Sequence, residues 1–80
     1  MQTGLVDALV KAAHEARTDK DISKELVADR LGKSVDTVRR FENGGGFPGL
    51  TEIMDAYSEA TGVSLFDLLD AAKLHLRNKG

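Results

Sequence analysis

Residues 22–44 run ISKELVADRLGKSVDTVRRFENG, two helical segments joined by a turn too short for antiparallel packing. Ser23 is a good N-cap for a helix from Lys24 to Leu31, because its hydroxyl can accept a bond from an orphaned backbone N–H. Gly32 stands where a left-handed residue ends such a helix. Ser34 then caps a helix from Val35 to about Glu42, which Asn43-Gly44 closes. Only Lys33 and Ser34 lie between Gly32 and Val35, so the two helices must cross at a steep angle, as in a helix-turn-helix. Such a crossing needs a small residue where one helix passes over the other, and Ala28 supplies it. Its inward positions should be apolar, and Val27, Leu31, Val38 and Phe41 fall at helical spacing.

On either side of this unit helix signals recur, and strand alternation is nearly absent. A first helix can start at Thr3 and carries Leu5, Val6, Leu9, Val10, Ala13 and Ala16 to about Arg17, where the polar run Thr18-Asp19-Lys20-Asp21 breaks it. Gly44-Gly45-Gly46-Phe47-Pro48-Gly49 is a loop, since no helix survives so many glycines and a proline together. A fourth helix from about Leu50 to Ala60 gathers Leu50, Ile53, Met54 and Tyr57 on one side and stops at Gly62. Ser64, with Asp67 three residues on, makes a capping-box-like start for a fifth helix over 65–77 with Leu65, Leu68, Leu69, Ala72 and Leu76. The expected fold is all-α: five short helices in one domain over 1–80, with the helix-turn-helix at 23–42.

The chain has 80 residues, 41% hydrophobic and 30% charged, a globular rather than a disordered profile. With no cysteine there is neither a disulfide framework nor a thiolate metal site. His14 and His75 stand apart from any ligand cluster and read as surface residues, so no metal is expected. No apolar run approaches the roughly 20 residues of a membrane span. Met1-Gln2-Thr3-Gly4 lacks the basic and apolar segments of a signal peptide, so a cytoplasmic protein is expected. No nucleophile has a plausible base, no phosphate-cradling Gly-x-x-x-x-Gly-Lys occurs, and no acids are paired so as to shift their pKa; the expectation is a protein that is not an enzyme and carries no cofactor.

A net charge of −2 hides a strong asymmetry. Residues 1–40 hold eight Lys/Arg against seven Asp/Glu, residues 41–70 hold six acids and no Lys or Arg, and the last ten add Lys73, Arg77 and Lys79. A polyanion is steered toward the first half and held off the 50s and 60s.

Residues 22–44 resemble the helix-turn-helix of the Cro and phage-repressor (XRE) family: Ala28, Leu31-Gly32, Ser34, Thr37-Val38, Arg40 and Glu42-Asn43-Gly44 fall in that family's register. The likeness continues through Phe47-Pro48, Leu50 and Gly62-Val63-Ser64-Leu65, covering roughly residues 16–70. Departures are Lys24 where the family usually has Gln, Lys33 where it often has Val, and Leu26 in a usually polar slot. The first two add cations near the edge that meets the DNA backbone.

The resemblance implies a lambda-repressor-like DNA-binding domain that places the helix from Val35 in the major groove of an operator. Val35, Asp36, Arg39 and Arg40 are then the outward, base-reading positions. Arg40 is the first choice, since a guanidinium can bond O6 and N7 of guanine together. For Arg39 and Arg40 the alternative is phosphate contact or solvent. Asp36 can accept from cytosine N4 or pair with Arg40 one turn on. Val35 can meet a thymine methyl or act as a half-buried staple. Phosphate contacts fall to Ser23, Lys24, Lys33, Ser34, Asn43 and Gly44, with helix-start amides assisting. An arginine late in the first helix pairs with the glutamate ending the recognition helix in this family, which maps to Arg17 and Glu42.

Function follows as an expectation: a sequence-specific regulator of Cro type in a bacterial cell, nucleoid-associated, repressing by operator occupancy and controlled by concentration rather than by a ligand. Surplus apolar surface at Leu65, Phe66, Leu69, Leu74 and Leu76 suggests a homodimer through the last helix. The rival is an antitoxin or antirepressor whose acidic 41–70 stretch grips a partner protein; a helical bundle with no DNA role is a third option.

Overall fold

In a computed structural model the chain folds into five helices; the structure describes residues 4–45 and 49–79, with side chains to Arg77. Among the described residues there is no strand. The helices are α1 (Leu5–Asp19), α2 (Lys24–Leu31), α3 (Val35–Glu42), α4 (Leu50–Thr61) and α5 (Leu65–Lys79). The predicted helix start at Thr3 and the Phe47-Pro48 match lie outside the described residues.

α1 runs two residues beyond the expected end at Arg17. The Thr18 hydroxyl donates back to the carbonyls of His14 and Glu15 at 3.1 and 3.2 Å, so this polar residue extends the helix. The stop comes at Asp21, which adopts φ +58, a left-handed conformation that aspartate tolerates better than most residues. α4 likewise takes in Thr61, whose buried hydroxyl donates to the Tyr57 carbonyl at 2.7 Å and accepts from the Val63 amide. α5 continues two residues past the expected 77.

The turn between α2 and α3 is built as its residues dictate. Ser23 Oγ accepts from the Leu26 amide at 3.1 Å. Gly32, at φ +76, lets its own amide reach the Asp29 carbonyl while the Lys33 amide reaches that of Ala28, closing the last turn of α2 within two residues. Ser34 stands at the N-cap of α3, but its side chain does not make the expected cap bond: its hydroxyl lies 3.4 Å from that of Thr37, and it is the Ser34 carbonyl that accepts from the Thr37 amide, at 3.0 Å.

One apolar core joins all five helices. α1 packs chiefly on α5, and α2 on α4 and α3, so the short α3 rests across the others. Val27, Val38, Phe41, Ile53, Tyr57 and Leu68 are the largest fully buried side chains. Leu31, expected inward, is only half-buried at the edge of this core. Met54 is core, whereas Phe66 is 78% exposed.

Candidate nucleic-acid interface

Burying Val38 and Phe41 turns the opposite face of α3 outward. Arg39 and Asp36 keep side-chain exposures of 52% and 64%, Arg40 is exposed as well, and Val35 is half-buried against the core. Asp36 pairs with Arg39, three residues on, and not with Arg40 as expected. Arg40's stem lies instead beside Gly45, where a Cβ would sit 3.4 Å from Arg40 Cγ and 3.2 Å from its carbonyl oxygen. The Gly45 amide donates to that carbonyl at 2.7 Å, and Gly44, at φ +85, makes the turn possible.

The end of α3 is tied down by a polar cluster. Arg17 Nε donates to Glu42 Oε2 at 2.7 Å and Nη2 to Oε1 at 3.0 Å, while Nη1 donates to the Ile22 carbonyl at 3.0 Å. The Tyr57 hydroxyl donates to the same carboxylate, and His14 Nδ1 stands 2.9 Å from Oε1. Glu42 is 5% exposed, so the carboxylate is nearly dry yet fully partnered. Burial pushes its carboxyl up, but the bonds from Arg17, Tyr57 and His14 outweigh that and hold it below the ordinary glutamate value. The same bond raises the Arg17 guanidinium. Burial, then the neighbouring carboxylate, drives the Tyr57 hydroxyl far above its usual value. Phe41 packs on the Tyr57 ring with centroids 5.5 Å apart.

Tyr57 and His14 are the members of this cluster that sequence reasoning missed. A buried tyrosine requires a partner for its hydroxyl, and that was the available signal for Tyr57. Neither histidine is isolated: His75 Nε2 lies 3.0 Å from Glu15 Oε1, joining α5 to α1.

The candidate phosphate contacts are spread along the same side of the sequence but differ in setting. Ser23 spends its hydroxyl on the α2 cap, and Lys24 beside it is half-buried. Ser34, Asn43 and Gly44 are exposed at the two ends of α3. Lys33 lines a cleft of about 300 Å³ between α2 and α4 together with Glu52, Asp55 and Glu59, where the carboxylates work against a phosphate. Among the described residues no ion pair engages Lys24, Lys33 or Arg40. No group of His, Asp and Glu suited to a metal occurs among those residues, and no helix is long and apolar enough to cross a membrane.

Two helices joined by a tight glycine turn, the second exposed and cation-bearing, are the architecture of a DNA-reading domain. The helix-turn-helix family model matches residues 14–68, more than half of the chain. The chain belongs to the helix-turn-helix family of the XRE, or Cro and phage-repressor, type, and is a DNA-binding transcription regulator of that type. No curated protein and no solved structure matches it significantly.

Proposed function

We propose that the protein is a Cro-like repressor that occupies operator DNA with α3 in the major groove and so excludes polymerase. The observation that carries this reading is Arg40: an exposed guanidinium, without an ion pair among the described residues, in the last turn of a helix that Glu42 fastens at that same end. A positioned guanidinium of this kind suits the O6 and N7 acceptors of guanine. Val35 and Arg39 flank it on the same helix. Lys24, Ser34, Asn43 and Gly44 serve the phosphates, and Lys33 contributes less because its cleft is acidic.

Two copies on a palindrome fit the dimensions. The described molecule measures 35 × 24 × 19 Å, and half-sites one turn apart are separated by about 34 Å. Leu65, Leu69 and Leu76 are 37%, 41% and 37% exposed on α5, with Leu5 and Val6 of α1 also exposed, and this apolar surface supports pairing through α5. The exposed acids of α4, Glu52, Asp55 and Glu59, favour a second reading, an antitoxin or antirepressor that holds a basic partner protein on that face.

The test is binding to duplexes tiled across the DNA flanking its own gene, against a random duplex, with footprinting of the best. Arg40→Ala should cost about 1–3 kcal/mol on the preferred duplex and relax preference at one base pair. Lys24→Ala should weaken all duplexes alike and lower the salt slope by about one. If Arg40→Ala weakens preferred and random duplexes equally, the base-reading role is wrong.

A further inference from the structure

We propose that Asp36 is a discriminating residue, holding Arg39 along the surface of α3 and releasing it to DNA only where a base offers an amino donor to the carboxylate. This rests on the reading of α3 as the helix that enters the groove. Three charges face outward there: Asp36, Arg39 and Arg40. A surface built only to attract a polyanion would carry no carboxylate among them. Asp36 and Arg39 are each other's only ion-pair partners among the described residues, and Arg40 has none. Among the described residues the outward face of α3 therefore presents one cation without an ion pair and one neutralised pair.

Groove chemistry turns that arrangement into a selector. Major-groove edges offer mostly acceptors, N7, O6 and O4; the donors are the amino groups of cytosine and adenine. An ionised carboxylate only accepts. Opposite an acceptor, Asp36 must either keep Arg39 or face the edge unpartnered, and in both cases a contact is forfeited. Opposite an amino group, the carboxylate changes partners and Arg39 becomes available to a phosphate or a guanine. One base pair is then felt through two side chains at once. The pair can make this exchange because both members are more than half exposed, and water-screened ion pairs hold weakly. Asp36 also lies in the first turn of α3, where an acid favours the helix, but that role affects stability alone.

The experiment measures fluorescence anisotropy of the wild type, Asp36→Asn, Asp36→Glu, Arg39→Gln and the Asp36→Asn/Arg39→Gln double variant. Each is titrated on a random duplex and on the best duplex found above, from about 50 to 200 mM salt. Asp36→Asn should tighten random-duplex binding about five- to tenfold near 0.1 M salt, steepen the salt slope by about one, and reduce the ratio of best to random affinity at least as much. Asp36→Glu should retain the weak random binding. In the Arg39→Gln background the effect of Asp36→Asn should fall below about twofold, because no cation remains to release. An unchanged random-duplex affinity and slope in Asp36→Asn overturns the proposal, as does an effect that persists undiminished without Arg39. A wild type with no salt-dependent DNA affinity overturns the functional reading itself, and the proposal with it, before any variant is compared.

Discussion

Replacing Arg17 with methionine asks what holds α3 in place. The guanidinium bonds both oxygens of Glu42 and the Ile22 carbonyl, and its side chain is 12% exposed against 5% for its partner. Stranding one member of a fully buried pair costs about 3–5 kcal/mol. Tyr57 still donates to the carboxylate and His14 still stands beside it, so the lower end, about 3 kcal/mol, is expected. A chain of 80 residues has roughly 4–12 kcal/mol of stability in total, so much of it goes. The midpoint temperature should fall by about 12–24 °C. Urea unfolding followed by circular dichroism, repeated from neutral to acid pH, checks both the size and the origin of the loss. In the wild type Glu42 titrates below its ordinary value of 4.5, so its stabilisation is complete above that pH and is lost as pH falls through the lowered folded value. The variant lacks the bond that does most to lower the carboxyl while keeping the burial that raises it, so it loses less on acidification. The gap between the two proteins should therefore be widest at neutral pH and narrow below about 4.5. A loss under about 1 kcal/mol, or a gap that does not change with pH, would refute the idea that a charge has been stranded.

Tyr57→Phe removes one donor from the same carboxylate and should cost about 1–2 kcal/mol in the same urea assay, with no change in the shape of the Phe41 contact. Gly32→Ala meets no atom within 4 Å, so its cost is backbone strain alone, about 1–2 kcal/mol, and the folded variant should bind DNA as before. Leu69→Glu, on the exposed stripe of α5, should halve the mass seen in sedimentation equilibrium and weaken a palindromic duplex while sparing a random one. An unaltered mass with unaltered affinity would remove α5 as the pairing surface.

The helices were legible because their punctuation is chemical. Gly32 takes the left-handed conformation its position after Leu31 implies, Gly44 and Gly62 stand where helices were expected to close, and Ser23 caps where a hydroxyl was needed. Boundaries failed where a threonine spent its hydroxyl on the helix behind it, at Thr18 and Thr61, because a polar side chain reads as a breaker unless its partner is known. Ser34 failed for a related reason, as Thr37 competes for the hydroxyl meant for the backbone. Within the site, family register located Arg17 and Glu42. Spacing could not choose between Arg39 and Arg40 as partner of Asp36, since both lie one turn away and the outcome depends on where the Arg40 stem runs. Tyr57 and His14 come from elements distant in sequence, and only the packing of α1 and α4 around α3 brings them to Glu42.

An eight-residue helix has little stability of its own, and α3 buries only Val38 and Phe41 fully. Two buried apolar side chains and a half-buried Val35 leave such a helix able to roll about its axis, which would blur any reading of base edges. The fastening is supplied at its two ends instead: the Gly32 turn ties its start to α2, and Glu42 ties its end to Arg17 of α1 and Tyr57 of α4. These bonds are directional, so they specify rotation as well as position in a way that a methyl group sliding over a core cannot. Among the described residues they also leave the outward face of α3, with Asp36 in its first turn and Arg39 and Arg40 in its last, without an ion pair to another element. Rigidity at the ends and freedom on the outer face belong together. Side chains can trade partners with DNA only if the backbone that carries them stays put.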